Sequence, residues 1–489
     1  MLTSYNIKLP LIALFLSLSL NGWCAGDTIR LSLKQVVELA KTNAIAAKQA
    51  ATVRETKYWE WQSFKSNYQP QLALNGILPG YNKTYTQVLQ PNGTILFQPV
   101  HNDNSSLALN FSQVITATGG TIYGTTQLQR FDDFDRHTIL YNGIPYGIGL
   151  SQPLFQYNSL KWDKKIEPLK YDESKQAYIE AQEKIAITVS GYFFDLLLAQ
   201  VNLRLAELNL SNTDNILRVA NLKFELGKIS KNEILQLELE QLTAKKDVAT
   251  SLRDMEIATL NLRSYTGLEG NEKIALTIPE AISNATVSTD KILKEALENR
   301  SDAIAFMRRV AEAKRDVAKA KGGNGLTATL TANIGFSNSA SNIPDVYRSP
   351  QDQQVVQLQL SLPVLDWGRS KAKIKTAEAN EKFTNYEVEQ DKQTFKQQIV
   401  TQVTLFNMMK DQLVLTAKAD TIAAEKYQIA KERYLLGDLS ITDLSIAFKE
   451  NDQAKRDYIS SLRDFWSAYY QLRYLSLYDS EKQQKITYQ

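Results

Sequence analysis

The chain repeats itself at a fixed spacing of 210 residues, without a gap, over more than a hundred positions. Ser151 and Pro153 return as Ser361 and Pro363, Leu226-Gly227 as Leu436-Gly437, and Ser230 as Ser440. Further along, Ala244-Lys245-Lys246-Asp247 becomes Ala454-Lys455-Arg456-Asp457, and Ser251-Leu252-Arg253-Asp254 becomes Ser461-Leu462-Arg463-Asp464. Solenoid repeats have periods of roughly 20 to 50 residues, so this unit is too long to be one. The chain is a duplicated half-protein, an internal symmetry common among membrane transport proteins.

Proline placement divides each copy. None of the 12 prolines falls between Leu169 and Ile278 or between Val364 and Gln489, which predicts long helices there. In the first copy Ile185, Val189, Tyr192, Leu196, Ala199, Leu203, Ala206, Leu210, Leu217, Ala220 and Phe224 follow steps of four and three, with Thr213 as the one polar member. That 3.5-residue period is the seam of coiled-coil packing. The second copy keeps the frame at Phe395, Ile399, Phe406, Met409, Leu413, Ala423, Tyr427, Ala430 and Tyr434, interrupted by Gln402, Thr416 and Asp420. A helix from about Leu169 to Leu226, rising ~1.5 Å per residue, is close to ~90 Å long, too long for a compact globule. Pro168 either opens this helix or kinks it.

Ahead of each long helix the period falls to two. Leu326, Ala328, Leu330, Ala332, Ile334 and Phe336 alternate with small or polar residues, as do Val356, Leu358, Leu360 and Leu362. The first half has Leu72 and Leu74, then Leu107, Leu109 and Phe111, then Tyr146, Ile148 and Leu150, with Gly119-Gly120 marking a tight hairpin between 107–117 and 121–131. One greasy face and one amide or hydroxyl face suit strands with lipid on one side and water on the other; a half-buried soluble sheet has the same alternation. Four to six strands cannot close a sheet alone, and open edges are not tolerated in lipid. Several copies must then share one barrel.

Composition narrows the function. The 489 residues are 22% charged and 43% hydrophobic, with a net charge of +3 that selects no partner and gives no sign of nucleic-acid binding. Two histidines, His101 and His137, and one cysteine, Cys24, are too few for a metal or thiol centre, and no cofactor is implied. Residues 1–26 read as a secretory signal, with Lys8, an apolar stretch from Leu11 to Leu20 and a small-residue region from Gly22 to Gly26. Bulky Trp23 before Cys24 argues against lipidation. No other stretch supplies the ~18 to 20 consecutive apolar residues of a membrane-spanning helix. Asp132, Asp133 and Asp135 are read as a solvated loop because they lack calcium-loop spacing, and Gly322-Gly323-Asn324-Gly325 as a turn, since no Lys-Ser/Thr follows it. Trp162, Trp367, Tyr146, Phe155 and Tyr157 are expected where strands join helices, at a membrane interface, although core packing explains them about as well.

Across essentially the whole mature chain the sequence resembles the TolC family of outer-membrane efflux channels. The resemblance rests on Ser151-Gln152-Pro153-Leu154-Phe155 and on Ser361-Leu362-Pro363-Val364-Leu365-Asp366-Trp367-Gly368-Arg369 at the junctions. It rests equally on the turns Phe224-Glu225-Leu226-Gly227-Lys228-Ile229-Ser230 and Tyr434-Leu435-Leu436-Gly437-Asp438-Leu439-Ser440. It implies an α+β membrane protein: a trimeric outer-membrane β-barrel continued by a long periplasmic α-helical barrel, each protomer built from two repeats. It also implies four strands per protomer, from which the Gly119-Gly120 hairpin departs.

The expected division is a leading helix over 27–69, strands over 70–157, a tunnel helical hairpin over 158–267 and a linker over 268–289. The second repeat has a leading helix over 290–325, strands over 326–364, a tunnel hairpin over 365–475 and a tail over 476–489. By the resemblance, Leu226, Gly227, Ser230, Leu436, Gly437 and Ser440 are periplasmic tips that meet a membrane-fusion adaptor, whereas glycine stop signals and serine caps explain the same residues as turn chemistry. Glu233, Tyr434 and Asp443 correspond to the periplasmic gate, and acids in a first helical turn also favour the helix dipole. The basic partner of the family's gate is Leu439 here and its further aspartate is Ile446, so that lock does not carry over intact.

The function expected is a channel, not an enzyme. It belongs to a tripartite efflux or type I secretion system and passes substrates from an adaptor and an RND, ABC or MFS-type pump through the outer-membrane lipid. A passive porin and a periplasmic coiled-coil scaffold are the competing readings.

Overall fold

A computed structural model describes residues 28–270, 272–280, 287–436 and 438–488. The signal segment with Cys24, and Gly437, lie outside the described residues. The first half runs β1 (Thr28–Leu31), α1 (Leu33–Asn43), α2 (Ile45–Ser66), β2 (Gln71–Ile77), β3 (Tyr81–Leu89), β4 (Ile95–Ile115), β5 (Gly120–Asp133), β6 (Thr138–Leu154), α3 (Ser159–Glu225) and α4 (Lys231–Thr266). The second runs β7 (Lys273–Leu276), α5 (Thr289–Asn299), α6 (Ser301–Gly323), β8 (Thr327–Ala340), α7 (Ile343–Arg348), β9 (Gln351–Ser361), α8 (Arg369–Leu436) and α9 (Ile441–Ser476), then the short β10 (Tyr478–Asp479) and β11 (Gln484–Lys485).

The duplication is visible in element lengths. Helices α3 and α4 have 67 and 36 residues, α8 and α9 have 68 and 36. Strands β1 and β7 pair in parallel and join the halves. Each leading segment is a strand and two helices, not one helix. At Ala44 (ψ 143°) and Arg300 (ψ 147°) the backbone is extended, and Arg300 is pinned there by Glu180, Asp302 and the Tyr474 carbonyl. The expected linker contains β7, and the tail folds back as β10 and β11.

Pro168 lies inside α3, which starts at Ser159 with the Asn158 side chain accepting from the Lys161 amide; it does not open the helix. At 67 residues the helix is on the order of 100 Å long. It is the one described helix long and apolar enough to cross a membrane, but half of its apolar window is buried inside the protein. The seven-residue seam is the buried face: Ile185, Val189, Leu196, Ala199, Thr213 and Ala220 are buried in α3, and Phe395, Ile399, Phe406, Leu413 and Ala430 in α8, whereas Phe224 is exposed. The polar interruptions of the α8 seam are paired. Gln402 donates to the Ala468 carbonyl, Thr416 to the Gln412 carbonyl, and Asp420 meets Lys455 at 2.9 Å.

Seven strands form the large sheet, more than the four to six expected. Its path is β2-β4-β5-β6-β8-β9, all antiparallel, with β3 pairing β4 beyond β2. The sequence signal missed β3 and the first half of β4, because residues 81–104 are polar or mixed on both faces apart from the apolar tip. The pairings align the alternation: Leu72 opposes Phe111, and Ile122, Leu150, Ala332 and Val356 form one row. One residue along, on the other face, Tyr123, Gly149, Asn333 and Val355 form the next. A Cβ on Gly149 would stand 2.2 Å from the Tyr123 ring, so glycine there lets the tyrosine lie against β6. Asp132 and Asp133 end β5 instead of lying in a loop; Asp132 pairs Arg130, and Asp133 accepts from the amides of the following turn. Tyr146 sits within β6 against Phe336, 4.9 Å between ring centres, not at the strand-to-helix junction.

Near mid-length, α1, α3, α9 and the tail meet at Glu183, which is fully buried. Its carboxylate accepts from Lys41 at 2.9 Å, from Arg473 Nε at 2.9 Å and from Tyr488. Burial opposes ionisation, but the hydrogen bonds and charges of Arg473, then Lys41 and Tyr488, outweigh it and hold the carboxyl at about 2. Because the folded pKa lies below the ordinary value of 4.5, the stabilisation is complete above 4.5 and is lost as pH falls through about 2. Glu183→Gln should therefore lower the thermal unfolding midpoint at pH 7, costing on the order of 3–5 kcal/mol because two cations lose their anion. The gap to the parent protein should close as melts are repeated from pH 5 downward.

Candidate functional site: the paired helical tips

Each long helix ends in a turn that starts the next. At the first tip α3 stops at Leu226, and Gly227 takes φ +69°, a left-handed conformation that glycine adopts at little cost. The amide of Lys228 donates to the Lys223 carbonyl at 2.9 Å, using up an otherwise unpaired helix-end acceptor. Ser230 then opens α4 as a capping box: its Oγ accepts from the Glu233 amide at 3.3 Å, and Glu233 Oε2 accepts from the Ser230 amide at 2.7 Å. These bonds, backbone first and then side chain, hold the Glu233 carboxyl below its ordinary range.

The second tip repeats the scheme. Asp438 donates its amide to the Arg433 carbonyl, and Ser440 opens α9 with its Oγ accepting from the Asp443 amide at 3.1 Å. Asp443 Oδ2 accepts from Ser440 Oγ at 2.7 Å. Both sequence-predicted acids are thus capping partners of the serines three residues before them. Leu226 and Leu436 project into solvent, 70% and 78% exposed.

The two tips form one unit. Ala220, Ile234 and Leu237 make a small core at the first, and Ala430, Leu444 and Ala447 at the second; Ile216 and Ile441 pack against both. Lys223 lies over the Tyr434 ring, 5.4 Å from its centre, and Asn212 donates to the Tyr427 hydroxyl at 2.8 Å. Burial raises the pKa of Tyr434. Leu439, standing where the family has a basic gate residue, joins the apolar cluster of the second tip, while Ile446 is exposed. The structure brings Tyr434 toward the first tip through Lys223, but leaves Glu233 and Asp443 on their own serines.

Sequence reasoning missed Ile216, Ile441, Lys223 and Asn212, and it placed Tyr427 in the α8 seam without its contact to Asn212. Their contacts run between the halves, and the repeat does not reveal them: the counterparts of Ile216 and Ile441 are Lys426 and Lys231. It missed, too, the polar groove between α4 and α9, lined by Thr243, Asp247, Gln453 and Asp452. Asp452 has a buried Oδ1 without a hydrogen-bond partner, and burial raises its carboxyl to about 6, with Arg456 partly offsetting this.

The family model of outer membrane efflux proteins matches residues 119–268 and 292–476. The chain belongs to the outer membrane efflux protein family. It is an outer-membrane efflux channel with a periplasmic helical extension, and the family comprises transport proteins, not enzymes. The porin and scaffold readings fall with that assignment. Solved structures with the same fold include VceC of Vibrio cholerae (14% identity, TM-score 0.63, 91% of this chain and 95% of that one). They also include CmeC of Campylobacter jejuni (14%, 0.62, 94% and 87%) and the open state of MtrE of Neisseria gonorrhoeae (15%, 0.61, 94% and 90%). No curated protein matches the chain.

The capping geometry carries a direct expectation for this efflux protein. Ser230→Ala and Ser440→Ala should each remove about 1 kcal/mol from the first turn of the helix that follows. Hydrogen exchange should speed up over 231–235 or 441–445 respectively, and stay unchanged at the Glu183 hub.

Proposed function

We propose that three copies of this chain close one β-barrel in the outer membrane and one helical tunnel below it. Cargo handed over by a periplasmic adaptor and an inner-membrane pump of RND, ABC or MFS type passes through the tunnel to the exterior. The observation that carries the reading is the sheet: a continuous apolar face, and two edge strands, β2 and β9, exposed along their full length. Hydrocarbon offers those edge amides and carbonyls no partner. β2 runs away from the helices and β9 back toward them, so the β9 edge of one copy meets the β2 edge of the next antiparallel.

The helices repeat the argument. In the lower layer α4 packs on α3, α3 on α9 and α9 on α8, leaving α4 and α8 outermost. Along α8, Met408, Leu415, Ile422, Ile429 and Leu436 are exposed at a strict seven-residue step, and α4 exposes Leu235, Leu239, Leu242 and Leu260. These are two different surfaces, as a head-to-tail ring requires, and an exposed heptad row is an unpartnered coiled-coil seam. Glu233, Asp443 and Tyr434 line the periplasmic gate, and Leu226, Gly227, Ser230, Leu436, Gly437 and Ser440 meet the adaptor.

Two variants separate assembly from docking. Ile422→Asp in the exposed row should shift the detergent-purified protein from trimer to monomer in native mass spectrometry; an intact trimer counts against the seam. Leu226→Glu with Leu436→Glu should leave the trimer intact but abolish adaptor co-purification and export. Undiminished co-purification removes the tip assignment.

A further inference from the structure

The resemblance to the family implies four strands per copy, and four strands here are attached to long helices: β2 follows α2, β6 leads into α3, β8 follows α6 and β9 leads into α8. β4 and β5 are attached to none, and turn back at the helix end of the sheet through Thr116–Gly119, where Gly119 takes φ +78°. We infer that β4 and β5 are wall strands of the barrel, so that three copies build an eighteen-stranded bore, wider than four strands per copy give and, along the barrel itself, open to bulky hydrophilic cargo without selection by charge. This rests on the three-copy assembly proposed above.

Three observations support it. The pair is hydrogen-bonded into the sheet on both sides, β4 to β2 from Gln71↔Ser112 to Ile77↔Ser106, and β5 to β6 from Thr121↔Ser151 to Asp133↔Thr138. A hairpin folded into the lumen as a plug would leave β2 and β6 to pair with each other, and they do not. Next, Leu107, Leu109, Phe111, Ile122 and Leu128 lie on the same face as Leu72 and Ile148, carrying the apolar face across the pair. Finally, the turn is fastened to the junction. Asn158, which caps α3, also donates to the carbonyls of Thr116 and Ala117, and Gln152 donates to that of Thr118.

Barrel diameter grows roughly in proportion to strand number, so eighteen strands give about 1.5 times the width of twelve. The face turned away from lipid in the middle of the sheet is built of uncharged groups such as Asn110, Thr125, Asn333, Gln353 and Gln357. Charge selectivity in channels comes from rings of charged side chains, and this stretch of the bore has none to offer among its described residues.

The test is electron cryo-microscopy of the full chain in lipid nanodiscs, with copy number taken separately from native mass spectrometry. Eighteen strands around the wall supports the inference; three copies with twelve wall strands, and β4–β5 folded inside or outside, overturns it. A copy number other than three overturns the assembly, while six wall strands per copy still upholds the present point. In planar bilayers, the largest neutral polyethylene glycol entering from the outer face should be about 1.5-fold wider than for a relative with four strands per copy; equal cut-offs overturn the inference. Gln357→Lys should insert at parental levels, whereas Leu358→Lys, one residue along on the lipid face, should be lost from the membrane. The reverse pattern overturns the assignment of faces.

Discussion

Backbone amides and carbonyls in hydrocarbon must find each other, because nothing else there will bond them. That single demand governs what this chain can be. Its sheet is a strip with an apolar face and two bare edges, a shape that is untenable in a bilayer as one copy and unremarkable once closed into a ring. In the assembly proposed above, closure would also fix the helices: β2, β6, β8 and β9 each connect to a long helix, so a ring of strands above would impose a ring of helices below. The exposed row from Met408 to Leu436 and the exposed leucines of α4 are the same requirement seen lower down, where water instead of lipid makes an uncovered seam costly.

The two halves share a plan but not a set of neighbours, and they diverge where the neighbours differ. Pro168 sits inside α3, while its counterpart Glu378 in α8 bonds Lys375 and Lys321. The seam of α3 is apolar apart from Thr213, whereas that of α8 carries Gln402, Thr416 and Asp420, each with a partner. Polar residues in such a seam fix register at some cost in stability. The Glu183 hub does comparable work at mid-length, joining first-half α1 and α3 to second-half α9 and the tail through charges that cannot be separated cheaply.

The duplication, the long helices and the alternating strands were legible because each depends on a period in the sequence: 210 for the copies, seven for the seams, two for the strands. What was not legible has no period. β3 and the outer part of β4 are polar or mixed on both faces, so alternation is silent there, and only pairing to each other makes them strands. The break at Arg300 depends on Glu180 and Tyr474, more than a hundred residues away. At the tips, glycine and serine announced both turns, but the contact between the tips uses Ile216, Ile441 and Lys223, whose partners belong to the other half. Local chemistry was readable, and contacts between the halves were not.

The acids at the tips were weighed as either helix caps or gate charges, and the geometry shows the first: each bonds the serine three residues before it. A carboxylate that accepts hydrogen bonds from its capping serine is favoured in its ionised form, as the lowered pKa of Glu233 reflects. Capping also restrains the side chain at the first turn of α4, close to the end of the tunnel that the proposed trimer would narrow. The serine three residues earlier therefore gives the returning helix a defined start and holds the Glu233 carboxylate in place; in the proposed trimer that side chain would stand near the tunnel entrance.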